Sequence, residues 1–314
     1  MDAVKEIGGY FSLEKGKDSY EFKNGVYLNS ARNALAYIVR LYSIREIYVP
    51  YYTCPVLWTI LENEHVILHF YDLNMLFLPS CDIPAEAFVL YTNYFGICAN
   101  NVRKMGKKFK NLIVDNAQAF YSPPSGLASL YSPRKFFGLP DGGVAVCDGR
   151  LACSFDTDIS YTRCMHLLKR VDSGAAAAHE EFKNNEDVLE GQPVKYMSRL
   201  TRHMMHTVDY AYARRRRIEN FMYLHRRFAA VNTLRMKSFE DAVPLAYPLA
   251  VNDPELRGKF IKNRIYVPTY WKGVEEKAPR GSYAAYLSKG ILPLPVDQRY
   301  GKDDMERIVR VFFS

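Results

Sequence analysis

The chain has 314 residues, 48% of them apolar and 24% charged, which is enough for one large domain or two unequal ones and excludes a disordered polymer. Lys and Arg outnumber Asp and Glu by 42 to 34, a net charge of +8 that asks for an anionic ligand, a nucleic acid or a partner surface. No apolar run approaches the ~18 residues a membrane helix needs, and the opening segment lacks the apolar stretch of a signal peptide.

In chain order, Asn33–Leu41 has helical spacing, with Ala34, Ile38 and Leu41 on one face. Glu46–Pro50 reads as a strand, Val56–Leu61 as a helix, and His65–Tyr71 and Ala87–Asn93 as strands. A basic helix over Val102–Lys110 leads to Asn111–Asp115, a strand ending on an acid, and Gly143–Cys147 is a further strand. Alternating elements of this length predict a mostly parallel α/β sheet, which binds ligands at the carboxyl ends of its strands. Residues 157–230 read as helix with little interruption, followed by short mixed elements and a final helix over Lys302–Phe313. This predicts a large α/β domain over 1–220 and a small α+β domain over 221–314.

Six scattered cysteines without a CxxC pair predict reduced thiols in a cytoplasmic protein. The histidines include no HExxH, so no metal site is expected, and no P-loop, GxGxxG or GxSxG occurs. Four places can carry chemistry. Asn29-Ser30 precedes the first helix, where it either caps the helix or helps its free amides bind a phosphate. Asp115 ends its strand at the ligand-binding edge, where a carboxylate either caps a turn or pairs with a protonated heterocycle nitrogen; Gln118 lies three residues on. Lys135 sits in SLYSPRKFFGLPDGG beside Arg134, in partly apolar surroundings that suit an amine nucleophile, or is an ordinary surface lysine. Arg214–Arg217, in a segment holding over half the excess charge, is either a solvated or subunit-contacting helix face or a nucleic-acid patch.

Taken in order, these segments resemble the DegT/StrS family of sugar aminotransferases, pyridoxal phosphate (PLP) enzymes of fold type I. The matching pieces are Ser30–Leu35, Val49–Cys54, Tyr71–Asn74, Asn93–Gly96, Asp115–Gln118, and Lys135 followed seven and eight residues later by Gly142-Gly143. They span about residues 25–150. The resemblance implies that Lys135 forms the Schiff base with PLP and shuttles the proton. It implies that Asp115 keeps the pyridine nitrogen protonated and that Gln118 contacts the ring hydroxyl side. The phosphate falls to Arg32, Asn33 and Ser132. The family's ring-stacking aromatic falls on Cys54, with Tyr51 or Tyr52 as substitutes. Tyr94, Tyr266 and Trp271 fall in substrate-cleft segments. The implied reaction transfers an amino group, from glutamate, to a keto group of a nucleotide-linked sugar in a homodimer. A dehydratase is disfavoured, since those members replace the lysine with histidine. A non-catalytic or regulatory protein of the same fold is the alternative, ahead of a nucleic-acid binder.

Overall fold

The apolar segments of the first half are four or five residues long, too short to bury both faces except as strands of one helix-covered sheet. In the computed structural model, which describes residues 11–14, 16–236, 239 and 242–314, there are seven of them. They are β1 (Gly25–Leu28), β2 (Glu46–Pro50), β3 (Ile67–Tyr71), β4 (Phe88–Thr92), β5 (Asn111–Asp115), β6 (Ala128–Tyr131) and β7 (Gly143–Cys147). The sheet order is β1-β7-β6-β5-β4-β2-β3. The run from β3 to β6 is parallel, and β7 is antiparallel to both β6 and β1. Helices α1 (Ala31–Leu41), α2 (Pro55–Asn63) and α3 (Ala99–Lys108) connect the first strands. β5 is central, and Leu112, Ile113 and Val114 are fully buried. Register pairs Thr92 with Asp115 and Asp115 with Leu130, so the carboxyl ends of β4 and β5 coincide at one edge.

The expectation of nearly unbroken helix over residues 157–230 is corrected. Four helices occupy it: α4 (Met165–Ala177), α5 (His179–Glu190), α6 (Arg199–Met205) and α7 (Tyr210–Phe228). α4 kinks at Gly174, whose φ is 81°. α5 stops at Gly191, before Pro193, and the chain then returns along β1: the Asn29 amide donates to the Lys195 carbonyl at 3.0 Å and the Met197 amide to the Tyr27 carbonyl at 3.0 Å. Helix is right for most of the segment, but a proline and an unpaired edge strand draw the stretch between α5 and α6 into extended backbone.

Beyond α7 lie β8 (Ala246–Ala250), α8 (Leu256–Lys262), α9 (Val274–Lys277), α10 (Tyr283–Gly290), β9 (Ile291–Pro295) and α11 (Lys302–Phe313). β8 and β9 pair antiparallel. Residue 220, the expected end of the large domain, falls inside α7. That helix packs on the last segment through Phe221 against Tyr247 (5.2 Å between ring centres) and Phe228 against Phe312 (4.9 Å). One cluster of buried apolar side chains runs from the large sheet to the β8–β9 pair. Among the described residues no helix is long and apolar enough to cross a membrane.

One close approach fixes the start of α1 against the sheet. A Cβ on Gly143 would lie 2.1 Å from the carbonyl carbon of Ser30, while the neighbouring Gly142 amide donates to the Asn29 carbonyl at 2.8 Å. Only a residue without a side chain lets β7 cross there. Gly143→Ala is expected to cost about 2–4 kcal/mol of stability, read as a lowered denaturant midpoint; an unchanged midpoint would show that the two backbones separate freely.

Candidate active site

Asp115 follows three fully buried apolar residues and is itself 3% exposed. One carboxylate oxygen accepts the Ala117 amide at 2.8 Å. Thr92 donates its hydroxyl to the carboxylate and in turn stands 3.1 Å from the Thr53 hydroxyl, so the two threonines form a short relay from β4 and the β2–α2 turn. No ion-pair partner of Asp115 occurs among the described residues. Burial raises its pKa above the ordinary carboxylate range, opposed by the charge of Lys135 and by these hydrogen bonds. Gln118 is 1% exposed, and its Oε1 accepts the Phe95 amide at 2.6 Å. Phe95 and Gly96 both have positive φ, and a Cβ on Gly96 would meet the Gln118 carbonyl at 2.6 Å. The turn after β4 is therefore built around Gln118.

Ser30 caps α1, its hydroxyl accepting the Asn33 amide at 3.2 Å. The Asn33 side chain donates to Asn29 Oδ1 (2.8 Å) and to the carbonyl of Pro193 (2.9 Å), so it holds the returning segment. Arg32, in the first turn, carries a buried Nη1 with no hydrogen-bond partner. Burial lowers its pKa, against the attraction of Glu186 and Cys54.

The loop holding Lys135 begins with Ser132, nearly buried, whose carbonyl accepts the Lys135 amide at 3.2 Å. Pro133 and Phe136 turn inward, while the Lys135 side chain is exposed, so the expected apolar surroundings belong to its neighbours and not to the amine. Its charge still reaches the buried Asp115.

Two residues behind this loop are not assigned to it by the sequence. Arg217, read with its three neighbours as a solvated or subunit-contacting face or a nucleic-acid patch, is 1% exposed. It lies 4.3 Å from the centre of the Phe136 ring. Its guanidinium donates to the carbonyls of Phe136, Pro244 and Leu245 at 3.2 Å each and to Gln298 Oε1 at 3.1 Å. Burial brings its pKa down to about 10, so it stays charged at neutral pH. Gln298 Nε2 donates to the same Phe136 carbonyl at 2.8 Å. The only sequence signal was position: Arg217 shares a helical face with Ala213, Phe221 and Leu224.

The aromatic residues divide. Tyr52 is fully buried, stacked on Tyr94 at 5.6 Å and edge-on to Trp271 at 4.7 Å, and burial raises its pKa strongly. Tyr94 is also fully buried, donating its hydroxyl to the Tyr52 carbonyl at 2.9 Å. Tyr51 stacks on Phe70 at 5.0 Å. Cys54, partly exposed, directly precedes α2 and acts electrostatically on Arg32. Trp271 is 9% exposed and Tyr266 is 55% exposed. Among the described residues no group of three or more His, Cys, Asp or Glu could hold a metal ion.

No family model matches the sequence, and no curated protein matches it. Solved structures do match. The sugar aminotransferase CalS13 from Micromonospora echinospora superposes with a TM-score of 0.63 at 14% identity, over 92% of this chain and 86% of that one. DesV from S. venezuelae gives 0.62 at 16% identity, over 92% and 83%. A DegT DnrJ EryC1 StrS aminotransferase from Brucella abortus gives 0.60 at 13% identity, over 92% and 85%. The chain therefore has the fold of these aminotransferases, the mostly parallel α/β fold with its C-terminal β8–β9 unit.

The unpaired carboxylate makes a pH prediction. A carboxyl whose pKa is raised by folding costs stability as pH climbs through the raised value, and costs nothing below about pH 4, where it is neutral in both states. Without ligand, Asp115→Asn should raise the thermal midpoint at pH 7, with the gain shrinking toward zero in acid. A gain that does not depend on pH would mean that the carboxylate is not the source.

Proposed function

We propose that the protein is a PLP-dependent aminotransferase of the DegT/StrS type, moving an amino group from a donor such as glutamate to a keto group of a nucleotide-linked sugar. One observation carries this: the buried Asp115 carboxylate has no ion-pair partner among the described residues, and the Nη1 of Arg32 is buried without a hydrogen-bond partner. The residues present fit PLP, which has a protonated ring nitrogen for Asp115 and a phosphate for Arg32, the free amides of α1 and Ser132. Bound there, the cofactor supplies an electron sink for bond breaking at the substrate's α-carbon. Lys135 holds the cofactor through its amine and then serves as the base and acid at that carbon, which its open position permits. Asp115 stays ionised once a cation faces it, and Gln118 stands beside it with its Oε1 already engaged by Phe95. Cys54 lies on the ring side. Tyr52 and Tyr94 pack on each other and on Trp271, and Tyr266 and Trp271 belong to the segment that would face the sugar. The names of the similar structures support a sugar substrate, and the net charge of +8 suits a nucleotide-linked one.

A purified sample should show an absorbance band at about 420 nm, removed by borohydride or by Lys135→Ala, and glutamate should bleach it in a half-reaction. A band that no amino donor changes would favour the non-catalytic reading. Total absence of a band would end the cofactor reading. A nucleic-acid role has less support, since Arg217 is spent on carbonyls inside the protein.

We also propose a homodimer, acting in the cytoplasm. Met165, Leu168 and Val171 on α4, with Ile159 and Tyr161 before it, are all more than half exposed, and Val171 is 85% exposed. Single exposed apolar residues are ordinary, whereas a run of them along one helix and its lead-in marks a covered surface. Sedimentation should give a dimer that Leu168→Glu with Val171→Glu turns into monomer; a monomeric wild-type protein would overturn this.

A further inference from the structure

Arg134, directly before Lys135, is 13% exposed at its side chain and forms an ion pair with Glu186 on α5. Its Nε is nevertheless buried without a partner, as is Nη1 of Arg32. A guanidinium offers five N–H donors in a fixed fork, and a buried donor left unmatched is costly. Two such donors at the first turn of α1 and at the lysine loop call for an acceptor that the chain does not itself supply. The three groups belong together: of the charged side chains acting on Arg32, Glu186 attracts it most and Arg134 repels it. The stretch of α5 that carries Glu186 is held in place. The adjacent Asn185 is buried, donates to the Pro140 carbonyl of the lysine loop at 2.8 Å, and accepts from Arg163 at 3.2 Å. The acid and the base differ in freedom, since the Glu186 side chain is 34% exposed against 13% for Arg134. The carboxylate is the more open of the two to water.

We infer that Arg32 and Arg134 form a two-guanidinium clamp for a phosphate monoester dianion, and that Glu186 is a built-in competitor that occupies Arg134 until the phosphate arrives. In the cofactor reading above, on which this rests, that phosphate is the one on PLP. A phosphate has the three terminal oxygens needed to meet both forks, and one carboxylate does not. Glu190 attracts Arg32 as well, and releasing Glu186 to solvent removes one negative charge from around the two guanidiniums, which favours the dianion.

The test compares equilibrium binding of PLP, of pyridoxal, which lacks the phosphate, and of inorganic phosphate, the last by calorimetry. Arg134→Gln should weaken PLP about 10- to 100-fold while leaving pyridoxal within about 3-fold, and Arg134→Lys should recover only part of the loss. Glu186→Gln should tighten both PLP and inorganic phosphate about 5- to 10-fold and leave pyridoxal unchanged, a gain that a merely structural acid would not give. Glu186→Gln without tightening, or Arg134→Gln weakening PLP and pyridoxal alike, overturns the clamp. If wild-type protein binds no PLP while phosphate binding still responds to both positions as stated, the cofactor reading falls and the clamp stands. If PLP binds and neither variant changes the ratio of PLP to pyridoxal affinity, the clamp falls alone.

Discussion

A carboxylate buried at the end of the central strand, with no cation against it, is the constraint around which the rest of the site is organised. Desolvating an unpaired charge is among the most costly things a fold can do. Asp115 is tolerated because its surroundings are polar in the right directions: the Ala117 amide donates to it, and Thr92 donates from the neighbouring strand with Thr53 behind. That arrangement requires the carboxyl ends of β4 and β5 to coincide, and their register makes them do so. The remaining deficit is electrostatic, and Lys135 reduces it only through space. The site is thus held in a state that a bound cation would improve.

Arg217 shows the opposite solution to the same problem. It is more deeply buried than Asp115, yet its donors meet three carbonyls and a glutamine oxygen, and its flat face lies on the Phe136 ring. Nothing about it calls for a ligand. It joins the residue after Lys135 to Pro244 and Leu245, immediately before β8, and so anchors the lysine loop to the C-terminal elements. Gln298 repeats the link from the segment after β9. A charge satisfied by backbone acts as a structural strut, whereas Asp115 has no counter-charge in contact with it among the described residues.

This distinction explains what could be read from the sequence and what could not. β4, β5 and β7 were legible because short apolar runs bounded by polar residues have few other uses. So was Asp115, because an acid ending such a run must emerge at the sheet edge. Ser30 was legible as a cap for an equally local reason, and its hydroxyl accepts from Asn33. β1 and β6 were missed because four residues give no periodicity, and both depend on β7 lying between them. Arg217 was hidden in a run of four arginines whose composition signals solvent, although α7 turns it toward Phe136. The commitment of Tyr51 to Phe70 and of Tyr52 to Tyr94 is a matter of rotamers and neighbouring strands, which spacing does not encode. Local chemistry was readable, and partners distant in the chain were not.

The two unpaired groups also constrain each other. Asp115 sits at the tip of a central strand, and Arg32 in the first turn of a helix whose start is pinned where Gly143 crosses Ser30. β5 is buried over four of its five residues and α1 is pinned at its start, so both backbones are held in place and no ion pair joins the two groups among the described residues. A fold selected for stability alone would have paired them or replaced them with apolar residues. Holding a negative and a positive group apart on rigid supports, with an exposed amine in the loop after β6, is the electrostatic complement of a ligand that is cationic at one end and anionic at the other. The cost of the two separated charges is recovered when such a ligand binds, which is why the residues least comfortable in the free protein are the ones that would hold the ligand.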